Sequence, residues 1–471
     1  MENKELIHNV LGFWGVVFLS FTAIFPASIY LISSTTSLTF AGEAAPLTFV
    51  VGTVLMLFDV AAVYIFSTKV SNAGGFYKYV QAGTNSGLLS RTVAWDQFIG
   101  QMSPVIISSA VLGWLVSVSA KTLYNIILPS YLPFIITVLV IIFIFIVSYF
   151  GIKLSSRIAI IVGIMEVVFL LSAGIFVVMH THFNSIQTFN IEKSSDGLSG
   201  FFIGMVTGPL TAYIGYSAVI HFSEEAKFSK STMKHAILLA VLIAGVFETF
   251  MMYAITVGVP QSQLSSLAGT YAPALIVTAK YAGTVVAVIV LAVAFLGQLI
   301  SPLIFGNSAQ RILYSLSRDN VLPAYFSNIH PKYGSPSRAA SFVLVFALIA
   351  SLSTEIPLTY YYGVLTGFFY SVVIWATILT TTNLIYHFAV NETLPIFMRR
   401  IKEFSTIKHV VVPTIGSIFI IIIFYYTYVG LAYPFIFAGI FVIIWIIFSF
   451  VASYLKKGVP LENADISIEK K

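Results

Sequence analysis

Four carboxylates, Asp59, Asp96, Glu166 and Glu248, fall inside long apolar runs of the chain. In low dielectric such a group must find a partner or exchange a proton as part of a mechanism. Glu166 lies near the middle of its run and Glu248 at similar depth in another. Asp59 and Asp96 lie nearer the ends, where pairing with Lys69 or Arg91, or contact with water, is expected to satisfy them. A bond across helices is the structural use of a buried carboxyl. Proton exchange is the functional one, and Glu166 is its first candidate.

Two apolar runs are also interrupted. The first carries Ser20-Phe21-Thr22-Ala23-Ile24-Phe25-Pro26-Ala27-Ser28, where Pro26 removes an amide donor and disfavours helix at Phe25. The second carries Thr207-Gly208-Pro209-Leu210-Thr211-Ala212-Tyr213-Ile214-Gly215-Tyr216-Ser217. Such breaks can serve packing alone. An unwound stretch also bares carbonyls that suit a cation, and the helix start beyond it offers amides that suit a carboxylate. The pair together fits a zwitterion.

Other chemistries find no residues. The eight histidines show no zinc-like spacing, and His180-Thr181-His182 lacks a third ligand, so no metal site is expected. Cysteine is absent, which excludes thiolate chemistry. There is no phosphate-binding glycine loop with lysine and no cluster of His, Asp or Glu suited to membrane-embedded catalysis, so neither ATP, nor another cofactor, nor an enzyme is expected.

The elements that must position these residues are helices in a bilayer. Of 471 residues 58% are hydrophobic, 15% aromatic and 9% charged, a surplus of apolar side chains that one soluble core cannot absorb. Runs of spanning length fall near 11–34, 44–68, 90–119, 131–149, 155–178, 200–222, 236–258, 280–306, 338–354, 360–386, 410–430 and 432–455. With a cytoplasmic amino terminus, all of the 24 Lys and Arg residues except Lys121, Lys193 and Lys280 lie on the cytoplasmic side. The net charge of +6 is therefore topological, and nucleic acid is not an expected partner. MENKELIH runs straight into the first span, which is expected to be retained, with both termini cytoplasmic. Twelve spans divide into five, five and two: a first repeat at 11–178, a second at 200–386 and a final pair at 410–455. Five being odd, the second repeat is inverted, and each repeat opens on a broken helix.

Three further motifs lie at the cytoplasmic faces. They are Asn72-Ala73-Gly74-Gly75-Phe76-Tyr77-Lys78-Tyr79; Tyr213-Ile214-Gly215-Tyr216 with Ser223-Glu224-Glu225-Ala226-Lys227; and the stretch from Asn307 to Pro323 with Gly334-Ser335-Pro336. With the two breaks, they resemble the amino acid-polyamine-organocation (APC) superfamily of transporters, in order from about residue 10 to 400. The resemblance implies an all-α integral membrane protein of the LeuT-type fold, a 5+5 inverted repeat with twelve transmembrane helices. It implies a secondary transporter of the plasma membrane that moves an amino acid or related amine by alternating access. The family often has Gly-Ser-Gly-Ile where Phe21-Thr22-Ala23-Ile24 stands, and many members carry a carboxylate where Ser217 stands, so a neutral amino acid is the expected substrate.

On this resemblance the substrate carboxylate meets the amides near Thr22, Ala23 and Ile24, and its amine the carbonyls near Tyr213 and Ile214. Phe25, Gly215, Ser217, Gln101, Gln298 and Ser301 complete the candidate site, with Tyr216 and Asp96 as gates. Several family members carry a lysine at the position of Glu166, where it stands in for a bound sodium ion. A carboxylate there points instead to coupling by protons. Exchange of substrates and substrate sensing without turnover are the alternatives.

Overall fold

The computed structural model describes residues 6–461 except 228 and 271, together with 465–466; side chains 31, 122, 123, 211, 214, 229, 230, 465 and 466 lie outside the described set. Sixteen helices follow in order: α1 Phe13–Ala23, α2 Ser34–Ala41, α3 Ala45–Lys69, α4 Phe76–Thr84, α5 Gly87–Tyr124, α6 Leu132–Tyr149, α7 Ile152–His180 and α8 Gly197–Met205. Then come α9 Thr211–Tyr213, α10 Ser229–Thr256, α11 Leu264–Ala268, α12 Pro273–Arg318, α13 Ser337–Tyr362, α14 Val364–Arg400, α15 Val412–Tyr428 and α16 Ile436–Leu455. Among the described residues eleven helical stretches are long and apolar enough to cross a membrane, and the shorter α1 is apolar as well. The only β pairing described is one antiparallel pair, β1 Val70–Ser71 with β2 Asp465–Ile466, and a parallel bridge of Leu11 with Ala226.

Where the helices lie relative to solvent follows from their side chains. The most apolar window of α5 is 83% buried and carries Gln97, Gln101, Ser103, Ser108 and Ser109 inward, while that of α16 is only 22% buried. Polar groups thus collect in the centre, and Ile and Phe face outward as they do toward lipid. The packing partners repeat: α5 lies on α14 and α12, α7 on α12, α3 on α10, and α6 on α13.

The interrupted spans differ from simple kinked rods. The first is longer than the expected 11–34: α1 ends at Ala23, the chain crosses Ile24–Ser28, and a π-helical turn at Ile29–Ser33 leads into α2 as far as Ala41. The hydroxyl residues past 34 continue the span because Thr36 and Ser37 donate to the Thr207 and Gly204 carbonyls of the second interrupted span. The second passes through a π-helical turn at Val206–Leu210 and then the 3₁₀ segment Ile214–Phe222. Helices α12 and α14 also run past the expected ends, to Arg318 and Arg400, because Ser, Asn and Arg side chains continue the helix beyond its apolar part. Inside α12, Gly283 departs from helical geometry (φ 83°, ψ 161°).

Candidate functional site

Phe25 precedes a proline, which pushes it out of the right-handed helical region, and it adopts φ 58°. That left-handed geometry costs a non-glycine residue about 1–2 kcal/mol. The ring of Phe25 stacks on Phe305 at 5.4 Å, and packing there holds the strained backbone. Surrounding groups bind the break from several sides. The Ser301 hydroxyl donates to the Thr22 carbonyl (2.7 Å), Thr22 donates to the Ala159 carbonyl (3.2 Å), and Ser20 donates to the Tyr216 carbonyl (3.0 Å).

The two interruptions meet directly. A Cβ added at Gly215 would stand 1.7 Å from the Ala23 carbonyl oxygen. Glycine here is a requirement of close approach. Gly215→Ala must displace backbone, and overpacking of about 1–3 kcal/mol at this contact is expected to cut substrate uptake by roughly tenfold at unchanged membrane abundance. Wild-type uptake in that variant would show that the breaks need not touch.

The amides divide between helix and site. Ile24 N–H bonds the Ser20 and Phe21 carbonyls, and Phe25 N–H the Thr22 carbonyl. The amide that the break leaves over is that of Ala27, and it approaches the carboxyl of Glu166 on α7. Neither Glu166 oxygen otherwise meets a donor at hydrogen-bond geometry, and the side chain is fully buried. It presses on α12, where a Cβ at Gly297 would lie 1.9 Å from its Oε1. Glu248 on α10 is likewise buried, next to the Tyr213 hydroxyl, which accepts from Thr53 at 2.9 Å.

A polar cluster gathers on α14. Tyr386 is fully buried, donates to Asn383, accepts from Gln101 (3.5 Å) and neighbours the Ser217 hydroxyl and the carboxyl of Asp96. Gln101 and Ser217, chosen from the sequence, thus converge on a residue that was not. Gln298 donates to Ser108 and ties α12 to α5 (3.1 Å). The Ile214 side chain lies outside the described residues. The signal for Tyr386, Asn383 and His387 was present as the polar run Thr380-Thr381-Thr382-Asn383 inside an apolar span.

Asp59 and Asp96 do not pair as expected. Lys69 bonds Glu403 (2.7 Å), and Arg91 bonds the Val459 carbonyl. Ten residues of helix separate Asp59 from Lys69, about 15 Å of rise, and five residues turn Arg91 about 140° away from Asp96. Asp59 instead meets Tyr216 and His387, at 2.9 and 2.6 Å. Asp96 is 2% exposed, with no partner at hydrogen-bond geometry.

The face that carries the chain's first residues is closed by ion pairs drawn from the three sequence motifs. Arg311 grips Glu225 with two bonds of 2.7 Å, Lys78 meets Asp319 at 2.9 Å, and Arg318 meets Glu224 at 2.8 Å. Burial is the largest influence on Glu224 and pushes its pKa up. The hydrogen bond and charge of Arg318, with the Ala73 amide, outweigh it and hold the carboxyl below the usual glutamate range. Leu11 lays an edge along the same turn, its N–H to the Glu225 carbonyl and its carbonyl to Lys227 N–H. Gly75, at φ 66°, lets His221 approach so closely that a Cβ would stand 2.4 Å from its ring. On the opposite side a cavity of about 170 Å³ opens between Ile32, Thr35, Trp114, Thr270 and Phe369.

Paired broken helices inside a shell of apolar helices, sealed at one face, define a multi-pass membrane protein built for passage of a small solute. The chain belongs to the amino acid permease family of the APC superfamily, whose pattern it matches over residues 11–460. It is 25% identical over 379 residues to the branched-chain amino acid permease BcaP of Bacillus subtilis (strain 168), covering 74% of this chain and 76% of that protein. It is 24% identical over 356 residues to the methylthioribose transporter of the same organism, covering 72% and 73%. BcaP of Lactococcus lactis subsp. cremoris (strain MG1363) is 27% identical over 318 residues, covering 64% and 66%.

Proposed function

We propose that the protein is a secondary active transporter that moves a neutral amino acid across the plasma membrane by alternating access, coupled to protons through Glu166. The observation that carries this reading is the contact of the two breaks. Gly215 lies on the Ala23 carbonyl, and Glu166 faces the one amide that the break leaves over. Substrate binding at that contact, through the backbone of Thr22 to Phe25 and of Tyr213 to Gly215, would draw on strain and on carbonyls already held in place. Gln101, Ser217, Gln298 and Ser301 would line it, with Tyr216 and Asp96 as gates.

The architecture proposed is twelve spans in a 5+5 inverted repeat, 11–178 and 200–386, followed by 410–455, with both termini cytoplasmic. Exchange of the two repeats turns the packing of α5 on α14 into that of α12 on α7, pairs α3 with α10, and pairs α6 with α13. All of these contacts are present. Spans 1, 2, 6 and 7 would rock against the others, breaking and remaking the ion pairs at the cytoplasmic face.

Two relatives named branched-chain amino acid permease favour leucine, isoleucine and valine within the neutral class. The test is uptake of a labelled panel, with methylthioribose included, into proteoliposomes. Empty vesicles under an inward proton gradient are compared with vesicles preloaded with unlabelled substrate. Accumulation in empty vesicles is expected for branched-chain substrates. Uptake confined to preloaded vesicles would replace symport by exchange, and saturable binding without uptake would make the protein a sensor.

A further inference from the structure

One contact between a carboxylate and an imidazole plays no part in the function above. Asp59 of α3 and His387 of α14 meet at 2.6 Å, Oδ2 to Nδ1, and the Tyr216 hydroxyl donates to the same Oδ2 at 2.9 Å. A contact that short between a ring nitrogen and a carboxylate oxygen holds a proton, so Nδ1 is the protonated nitrogen and Nε2 the free one. Nε2 has no hydrogen-bond partner, and neither has Oδ1 of Asp59. The pair borders a cavity of about 30 Å³, lined also by Met56, Leu210, Asn383 and Gly416, which has room for about one water molecule. The ring of His387 is fixed between Phe76 at 4.7 Å and Tyr386 at 5.1 Å, so Nε2 cannot turn to a donor elsewhere without repacking both.

We propose that Nε2 of His387 is a second proton-binding site, separate from Glu166, whose occupancy sets the strength of the bond between α3 and α14. A hydronium in the cavity gives its proton to the Nε2 lone pair and leaves as water, turning neutral imidazole into imidazolium; no other bond is made or broken. The Asp59 link then changes from a neutral-donor hydrogen bond to a full ion pair, which is roughly twice as strong. Other titratable groups around it are the Tyr216 hydroxyl from 214–222, Tyr386 on α14 itself, Tyr79 of α4, and Asp96 of α5 beyond Tyr386. From α15 the cavity receives only Gly416, Phe419, Ile420 and Ile423. Among the described residues His387 is thus the group in this cluster able to become a cation.

The location gives the proton its effect, and here the inference rests on the alternating-access reading. Asp59 and Tyr216 belong to spans proposed to rock, and His387 to a span outside that set. Opening between them requires the pair to part, and a loaded imidazole resists parting more than a neutral one.

Two measurements test this. Histidine labelled with ¹⁵N in protein held in nanodiscs reports the state of each ring nitrogen, and His387→Gln identifies the signal. Over a buffer series from about pH 8 to about pH 5, proton binding at Nε2 is expected to be read as replacement of the Nδ1–H form by the doubly protonated ring. One unchanged state across that range would overturn the proposal. In preloaded proteoliposomes, substrate exchange by the wild type is expected to slow roughly fivefold over the same acidification, and His387→Gln to lose that slope. Asp59→Asn, which keeps the imidazole and removes the charge, is expected to lose it too and guards against a folding defect in the first variant. A His387→Gln profile that follows the wild type would sink the idea. The labelling experiment needs no substrate, so titration without any wild-type exchange would support the proton site and strike only the alternating-access reading.

Discussion

Glu166→Gln is expected to abolish accumulation against a gradient while leaving exchange between filled vesicles in place. A difference of one pH unit across the membrane supplies about 1.4 kcal/mol per proton, enough to hold about a tenfold substrate ratio if one proton travels with each molecule. Without a group that carries the proton, the ratio falls to one. Glutamine preserves the volume against Gly297, where a Cβ would stand 1.9 Å from the Glu166 oxygen, and still offers an oxygen to the Ala27 amide. The break should therefore keep its shape, and exchange, which needs the shape but not the proton, should persist. Gly297→Ala provides the converse. It leaves the carboxyl in the chain but drives it from its seat, and is expected to impair accumulation and exchange together. A Glu166→Gln protein that accumulates substrate like the wild type would remove Glu166 from coupling.

The residues that make this argument were not equally legible in the sequence. Pro26 and the Gly208-Pro209 pair announce broken helices because proline and glycine act locally, through a lost donor and a missing Cβ, whatever the fold around them. Glu166 was legible because a carboxyl in an apolar run needs a reason. The motif glycines and charges at 72–79, 213–227 and 307–336 were legible as patterns, but their meeting as Arg311 with Glu225 and Lys78 with Asp319 is a product of the fold. Partners of Asp59 were misread for the same cause. Sequence proximity offers Lys69 and Arg91, yet helix rise and rotation carry both away, and the true partner, His387, lies 328 positions further along the chain. The sequence pointed to amides near Thr22, Ala23 and Ile24, whereas the amide facing Glu166 is that of Ala27, a few residues on. It could be found only by following each N–H at the end of α1 to its acceptor.

Glu225→Ala is expected to open the sealed face, with the second large effect. Arg311 is 1% exposed and its guanidinium gives two of its donors to Glu225, so removing the carboxylate leaves a buried charge with the Asn307 carbonyl and the face of Phe222 but no counter-charge among its described contacts. Breaking a buried pair from one side costs about 3–5 kcal/mol, which shifts the balance between closed and open faces by roughly 10²–10⁴. The readout is alkylation of a single cysteine placed at Ser308, whose hydroxyl is buried against the Ala218 carbonyl. The chain has no cysteine of its own, so the background is zero. Labelling should accelerate by a comparable factor in Glu225→Ala, and the exchanged pair Glu225→Arg with Arg311→Glu should slow it again. Glu224→Ala should do less, because its pair with Arg318 is partly solvated, 14% and 26% exposed. The direction with pH follows from the lowered pKa of Glu224. Its contribution to closure is full at and above the usual carboxylate range and is lost only as pH falls through the lower value it holds in the closed face. Mild acid that stays above that lower value therefore leaves this bridge, and the closure it gives to the face, intact. Equal labelling of the wild type and Glu225→Ala would show that the face is closed by packing, and that the ion pairs only decorate it.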